Sequence, residues 1–174
     1  MNIQIELISE SDLADESFNI VIDGLKPREI YRVEMFLSDY YCINAPMLLT
    51  HDVLWKSTAI FVSDKNGIID ISQTPSCSGS YEDIATMGLF FNAKPLTNKR
   101  KKLPNSLSKI PLLDHFFVGI KIMQGNTVIA ERTFTRHYMS SQISHQDIYG
   151  KHFQGRLFYD KKAIKTPSID YCER

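Results

Sequence analysis

Apolar residues in this chain recur at every second position rather than at helical spacing. Phe18, Ile20 and Ile22 share one face of a short predicted strand, and Tyr31, Val33, Met35 and Leu37 share a face of the next. Trp55, Ser57, Ala59 and Phe61 repeat the pattern, and Phe116, Val118, Ile120 and Ile122 form its cleanest example. Successive side chains of a strand point to opposite faces, so each set predicts a half-buried strand. Turn residues separate the runs. Gly24 and Pro27 punctuate the early strands. Asp64-Lys65-Asn66-Gly67 joins two apolar runs, and its Asn-Gly pair predicts a hairpin with a type I′ turn. Gln124-Gly125-Asn126 predicts the same between 116–123 and 127–134. Short alternating strands between turns predict an all-β, antiparallel sandwich of the immunoglobulin-like kind. Residues 9–17 are polar and read as a short helix or a loop. Residues 94–111, with Pro95, Pro104, Pro111 and the run Lys99-Arg100-Lys101-Lys102, read as an exposed loop.

Composition narrows the function classes. The chain has 174 residues, a length that suits one domain or one domain plus a fragment. Lys+Arg and Asp+Glu are both 20, so no global charge draws it to nucleic acid or an anionic membrane. The basic run at 99–102 lacks interleaved aromatics and reads as a solvated face. The most apolar stretch, 112–123, is interrupted by Asp114, His115 and Lys121, so no membrane span is expected. The N-terminus, Met1-Asn-Ile-Gln-Ile-Glu, has neither the basic nor the apolar region of a secretory signal. Three cysteines without a C-x-x-C pair argue against a disulfide scaffold and favour the cytoplasm.

Candidate chemistry is sparse. Cys77, in Thr-Pro-Ser-Cys-Ser-Gly, has no helix N-terminus to activate it, and an ordinary loop thiol is the plainer reading. Cys42 sits among aromatic residues, and Cys172 lies near the end of the chain. His51, His115, His137, His145 and His152 form no recognised metal-ligand spacing. No G-x-S-x-G or G-x-C-x-G elbow occurs. No catalytic residue, metal ligand or cofactor is therefore assigned.

One ordered set of short motifs carries more information. Gly24, Leu25 and Pro27 form a Gly-Leu-x-Pro corner. Trp55, Ser57 and Ala59 make a W-x-S-x-A strand. Asp64, Gly67 and Asp70 follow in a turn and the next strand. Gly79-Ser80-Tyr81, Met87-Gly88-Leu89 and Pro95 come next. A later hairpin carries Arg132, Phe134 and Arg136, and Gly155-Arg-Leu-Phe is the last element. In this order the motifs resemble the N-terminal domain of the acyl-CoA thioesterase / bile acid-CoA:amino acid N-acyltransferase family, over about residues 20–160.

The resemblance implies a non-catalytic β-sandwich at residues 1–140. At 141–174 it implies the start of a truncated or absent α/β-hydrolase domain, whose sheet would begin with the hairpin at about 143–159. The implied partner is that hydrolase domain, in cis or in trans, with acyl-CoA bound only in its company. Trp55, Ser57, Asp64, Gly67, Asp70, Gly79, Ser80, Tyr81, Met87, Gly88 and Leu89 are the signature positions. They either fill core and turn roles or present a surface to the hydrolase domain. Asp70 and Ser57 are expected to hydrogen-bond across the loop carrying Tyr81, and Met87-Gly88-Leu89 to begin a strand. A free-standing interaction module, or an enzyme working through Cys77 and a histidine, are the alternatives.

Overall fold

The computed structural model describes residues 2–40, 53–96 and 113–162. Two antiparallel sheets face each other across one core, as the alternation requires. The smaller sheet holds β1 (Gln4–Ile8), β2 (Asn19–Asp23) and β5 (Ile69–Asp70), in that spatial order. The larger has the order β6 (Ser78–Gly79), β4 (Trp55–Val62), β3 (Ile30–Ser38), β8 (His115–Gln124) and β9 (Thr127–His137). The short β7 (Lys94–Pro95) also pairs with β4. A separate two-stranded ribbon, β10 (Ile143–Tyr149) with β11 (Gln154–Asp160), follows.

All four alternating sets lie buried between the sheets. Register explains how they meet: Val33 stands opposite Ala59 on one side and Ile122 on the other, and Met35 opposite Ser57 and Ile120. Phe61, Phe116, Ile120 and Ile122 are fully enclosed. Each such side chain contributes roughly 1.5–3 kcal/mol of transfer free energy.

The turns depart from the expected geometry. The run at Asp64–Gly67 does not close a hairpin within one sheet. It passes the chain from β4 in the larger sheet to β5 in the smaller one. Gly67 has positive φ and Asn66 does not, so the turn is not type I′. Instead the Gly67 N–H donates to the Asp64 carbonyl and the Asp64 N–H to Ile68, the pattern of a type I turn closed by a left-handed glycine. Between β8 and β9 the loop is the two residues Gly125-Asn126, with positive φ at Gly125 alone. A positive φ at the first central residue is the type II′ requirement, which corrects the second type I′ expectation.

Residues 9–17 are bends and turns, not helix. Among the described residues the single helix is α1 (Gly88–Phe91), at the Met-Gly-Leu segment expected to start a strand. Lys94 and Pro95, read as part of a loop, form a short edge pairing. Proline is tolerated there because an edge position need not donate to the ladder. The basic run at 99–102 lies outside the described residues, as do Cys42, Cys172 and His51.

Candidate functional site

The signature positions are distributed through the sandwich as ties between its elements. Trp55, Ser57 and Ala59 occupy the inward face of β4 and are all buried. Asp64 folds its own turn. Its carboxylate accepts N–H bonds from Ile68 and Asn66, which hold its pKa below the ordinary carboxylate range. Gly67 lies against Leu25: a Cβ there would run into the Leu25 carbonyl, and the Leu25 N–H donates to the Gly67 carbonyl. The Gly-Leu-x-Pro corner and the Asp-to-Gly turn are thus one contact.

Asp70 and Ser57 do not meet across the Tyr81 loop. Burial pushes the Asp70 pKa up, but donation from the Ser72 hydroxyl and the Asn19 amide outweighs it, and the net shift is downward. Asp70 therefore fastens β5 to β2. Ser57 lies on the inner face of β4, in the other sheet, and its Oγ has no hydrogen-bond partner among the described residues. The sheets have separated two residues that sequence spacing placed together.

Gly79-Ser80-Tyr81 clamps its loop to the edge of β4. Gly79 opposes Ala59 with positive φ, and any side chain there would strike the Thr58 carbonyl. Ser80 donates its N–H to the Thr58 carbonyl, and its Oγ accepts from the Thr58 N–H. Tyr81 then turns inward. Its ring occupies the space that a Gly88 side chain would need, so that glycine begins α1 under the phenol. Burial pushes the Tyr81 phenol up to about 12, leaving it a neutral donor at physiological pH. Met87, just before α1, lends its sulfur to the N–H of Phe18, just before β2, and Leu89 is buried. The structure thus brings Trp55, Ser57, Tyr81, Gly88 and Leu89 to one region, and leaves Asp64 and Gly67 in a separate turn.

The inward arginines of β9 were noted in the sequence but not their role. Arg132 and Arg136 pair with Ile120 and Phe116, so both fall on the core side of the strand. The R-x-F-x-R alternation around Phe134 was the available signal. Arg132 donates to the Ile5 carbonyl and stacks over Phe134. Arg136 is 1% exposed. It donates to the Ser9 hydroxyl and to the carbonyls of Ser11, Leu13 and Glu16, and its guanidinium lies over Phe18. Burial draws its pKa down, and Asp12, Glu16 and Asp15 counter that. The pair closes one side of the sandwich and shapes residues 9–16 as a strap rather than a helix.

Among the described residues no serine or cysteine side chain is hydrogen-bonded to a histidine. Cys77 is an exposed free thiol in the loop after β5. His115 faces His137 across β8 and β9, each beside a carboxylate, Asp114 and Asp12. Among the described residues no group of His, Cys, Asp or Glu is placed to hold a metal, and no helix is long and apolar enough to cross a membrane. A cleft of about 530 Å³ lies between the strap, His137 and the start of the ribbon, lined by Asp12, Asp114, Ser140 and Lys161.

Trp55 Nε1, Ser57 Oγ and Tyr81 Oη are buried without a hydrogen-bond partner among the described residues. Each such group costs roughly 1–3 kcal/mol if left unsatisfied, and together they approach a typical net folding stability of about 5–15 kcal/mol.

The chain is 27% identical to mouse acyl-coenzyme A amino acid N-acyltransferase 2 over 112 residues, covering 64% of this chain and 24% of that protein. It is 22% identical to mouse bile acid-CoA:amino acid N-acyltransferase over 164 residues, covering 91% and 37%. It is 21% identical to rat acyl-coenzyme A thioesterase 1 over 160 residues, covering 89% and 35%. The chain thus spans about a quarter to a third of the length of these relatives. Residues 15–149 match the family described as the acyl-CoA thioester hydrolase/BAAT N-terminal region, and the chain belongs to that family.

Proposed function

We propose that this chain is the non-catalytic sandwich module of an acyl-CoA thioester hydrolase-like or acyl-CoA:amino acid N-acyltransferase-like system. In this reading it docks on an α/β-hydrolase domain and helps shape the acyl-CoA site there, while the chemistry belongs to that domain. The observation that carries the reading is the β10–β11 ribbon. Tyr149, Phe153, Phe158 and Tyr159 are 57%, 62%, 50% and 42% exposed. Apolar groups concentrated on one element in this way mark a surface that packs against something else. Two strands alone are marginally stable in water, which adds to the case for a partner. The signature ties support the sandwich as an autonomous scaffold, immunoglobulin-like in kind. The free, exposed Cys77 suits the reducing cytoplasm.

The test has two arms. The purified chain, incubated with medium- and long-chain acyl-CoA, should release no thiol above the protein-free control. Amides of 143–160 should exchange quickly in the isolated chain and slow on mixing with the α/β-hydrolase portion of one of the longer relatives. Thiol release that survives purification, or a ribbon already protected in the monomer, overturns the reading.

A further inference from the structure

We propose that Trp55, Ser57 and Tyr81 enclose a binding site for a buried water molecule at the end of the sandwich core, and that this is the reason for polar residues in an otherwise apolar strand. The placement follows from register. Trp55 and Ser57 are two apart on the inward face of β4, where they are 5% and 2% exposed. On one side of β4, Met35 of β3 stands opposite Ser57 and Leu37 opposite Trp55, and neither bonds the Ser57 hydroxyl or the indole N–H. On the other side Ser80 is bonded to Thr58, so the chain runs alongside Ser57 as it enters Tyr81. The hydroxyl end of the Tyr81 ring lies over Gly88 at the start of α1, and α1 packs on β4. Tyr40 walls the same end, edge-on to Trp55 on one side and to Phe90 on the other.

The donors and acceptors fit one solvent molecule. The indole offers a donor only, and each hydroxyl offers a donor and acceptors. Water can accept from Trp55 Nε1 and Tyr81 Oη and donate to Ser57 Oγ, which gives it three partners, the usual number for an internal water. The neutral phenol supplies the second of those donations. Gly88 belongs to the same device, since any side chain there would displace the Tyr81 ring. The site assigns Trp55, Ser57 and Tyr81 to internal architecture, which removes them from any docking surface.

A crystal structure at a resolution that shows ordered solvent tests this. The expected result is a water oxygen at hydrogen-bond distance, about 2.7–3.2 Å, from Trp55 Nε1 and from Ser57 Oγ or Tyr81 Oη. Direct bonds among the three side chains, or a dry gap between them, overturn it. Solution NMR gives a second arm, because the chain has a single tryptophan and thus one indole N–H resonance. That resonance should shift in both Ser57→Ala and Tyr81→Phe. An indole resonance unmoved by both substitutions overturns the site, and if neither variant folds, the wild-type crystal structure decides alone.

Discussion

The sandwich and the β10–β11 ribbon are built from similar residues and reach opposite states. Both are antiparallel, both contain aromatic residues, and both carry an arginine on a strand. In the sandwich every second residue of β3, β4 and β8 is buried against the opposing sheet. In the ribbon none of the side chains described is buried, although Ile148, Leu157, Phe158 and Tyr159 are available. Alternation places side chains on a face, but a face becomes a core only when a second layer covers it. The ribbon's strands pair with each other and, among the described residues, with no other strand. Among the described residues the ribbon has no second layer, whereas the sandwich has its own.

Equivalent substitutions in the two regions should therefore have unequal consequences. The largest contrast is expected for phenylalanine. Phe116→Ala empties a fully enclosed position and should cost about 3–5 kcal/mol in denaturant unfolding. Phe158→Ala, at a half-exposed position, should change global stability by less than about 0.5 kcal/mol. Comparable losses for both would mean that the ribbon packs into the same cooperative unit.

Arginine sharpens the comparison. Arg136→Ala removes a buried cation that satisfies the Ser9 hydroxyl and three carbonyls of the strap. Hydrogen bonds to charged groups contribute about 1.5–3 kcal/mol each, with partial compensation by water, so a loss of about 3–5 kcal/mol is expected. Arg156 instead makes a bidentate pair with Asp147 on the ribbon, and Arg156→Ala should leave the unfolding midpoint unchanged. A strap that stays protected from hydrogen exchange in Arg136→Ala would show that its backbone holds itself.

Glycine gives a smaller contrast. Gly67→Ala forces a left-handed residue and a Cβ against the Leu25 carbonyl, together roughly 2–4 kcal/mol. Gly155→Ala meets open space and should be neutral or stabilise slightly, by about 0.5 kcal/mol. Circular dichroism melts of the two variants check this. Equal losses would mean that Gly155 is held in place by something packed on the ribbon.

These contrasts also mark what the sequence discloses. The four buried faces were legible because period-two alternation is a direct record of sheet burial, and the ribbon was legible through its Gly-x-Leu-Phe resemblance. The turn at Asp64–Gly67 was legible as a turn but not as a passage between sheets, since local dihedrals carry no information about which ladder comes next. Helix α1 escaped because four residues are too few to show a period, and it has no N-terminal side-chain cap; Met87, Leu89, the Tyr81 ring and the Asn92 amide, which donates to the Gly88 carbonyl, hold it. The Asp70 to Ser57 bond failed for a related reason. Strand alternation places each residue on a face of its own strand, but assigns neither strand to a sheet. Arg136 was noted only as part of the resemblance, because no apolar periodicity marks an arginine as buried. Its burial becomes readable only once Phe134 sets the inward parity of β9.

Acid pH should separate the regions with the smallest effect. The folded pKa of Asp70 lies below its unbonded value of 3.8 because hydrogen bonds from Ser72 and Asn19 outweigh its burial. A depressed carboxylate stabilises the fold fully above the unfolded pKa, and loses that contribution as pH falls through the folded value. Asp70→Asn should thus lower the global midpoint slightly at neutral pH, by less than about 1 kcal/mol, with the difference vanishing as pH falls below 3.8. Asp147 is depressed as well, with hydrogen bonding from Arg156 as the largest cause. Its stabilisation has the same sign and the same acid limit, but it acts within the ribbon. Asp147→Asn should leave the global midpoint untouched at every pH and speed amide exchange across 143–160 at neutral pH. That excess should disappear in acid, where the wild-type carboxylate is protonated too. If Asp147→Asn instead moves the global midpoint as Asp70→Asn does, the ribbon unfolds with the sandwich, and its exposed aromatics cannot be those of an independent docking element.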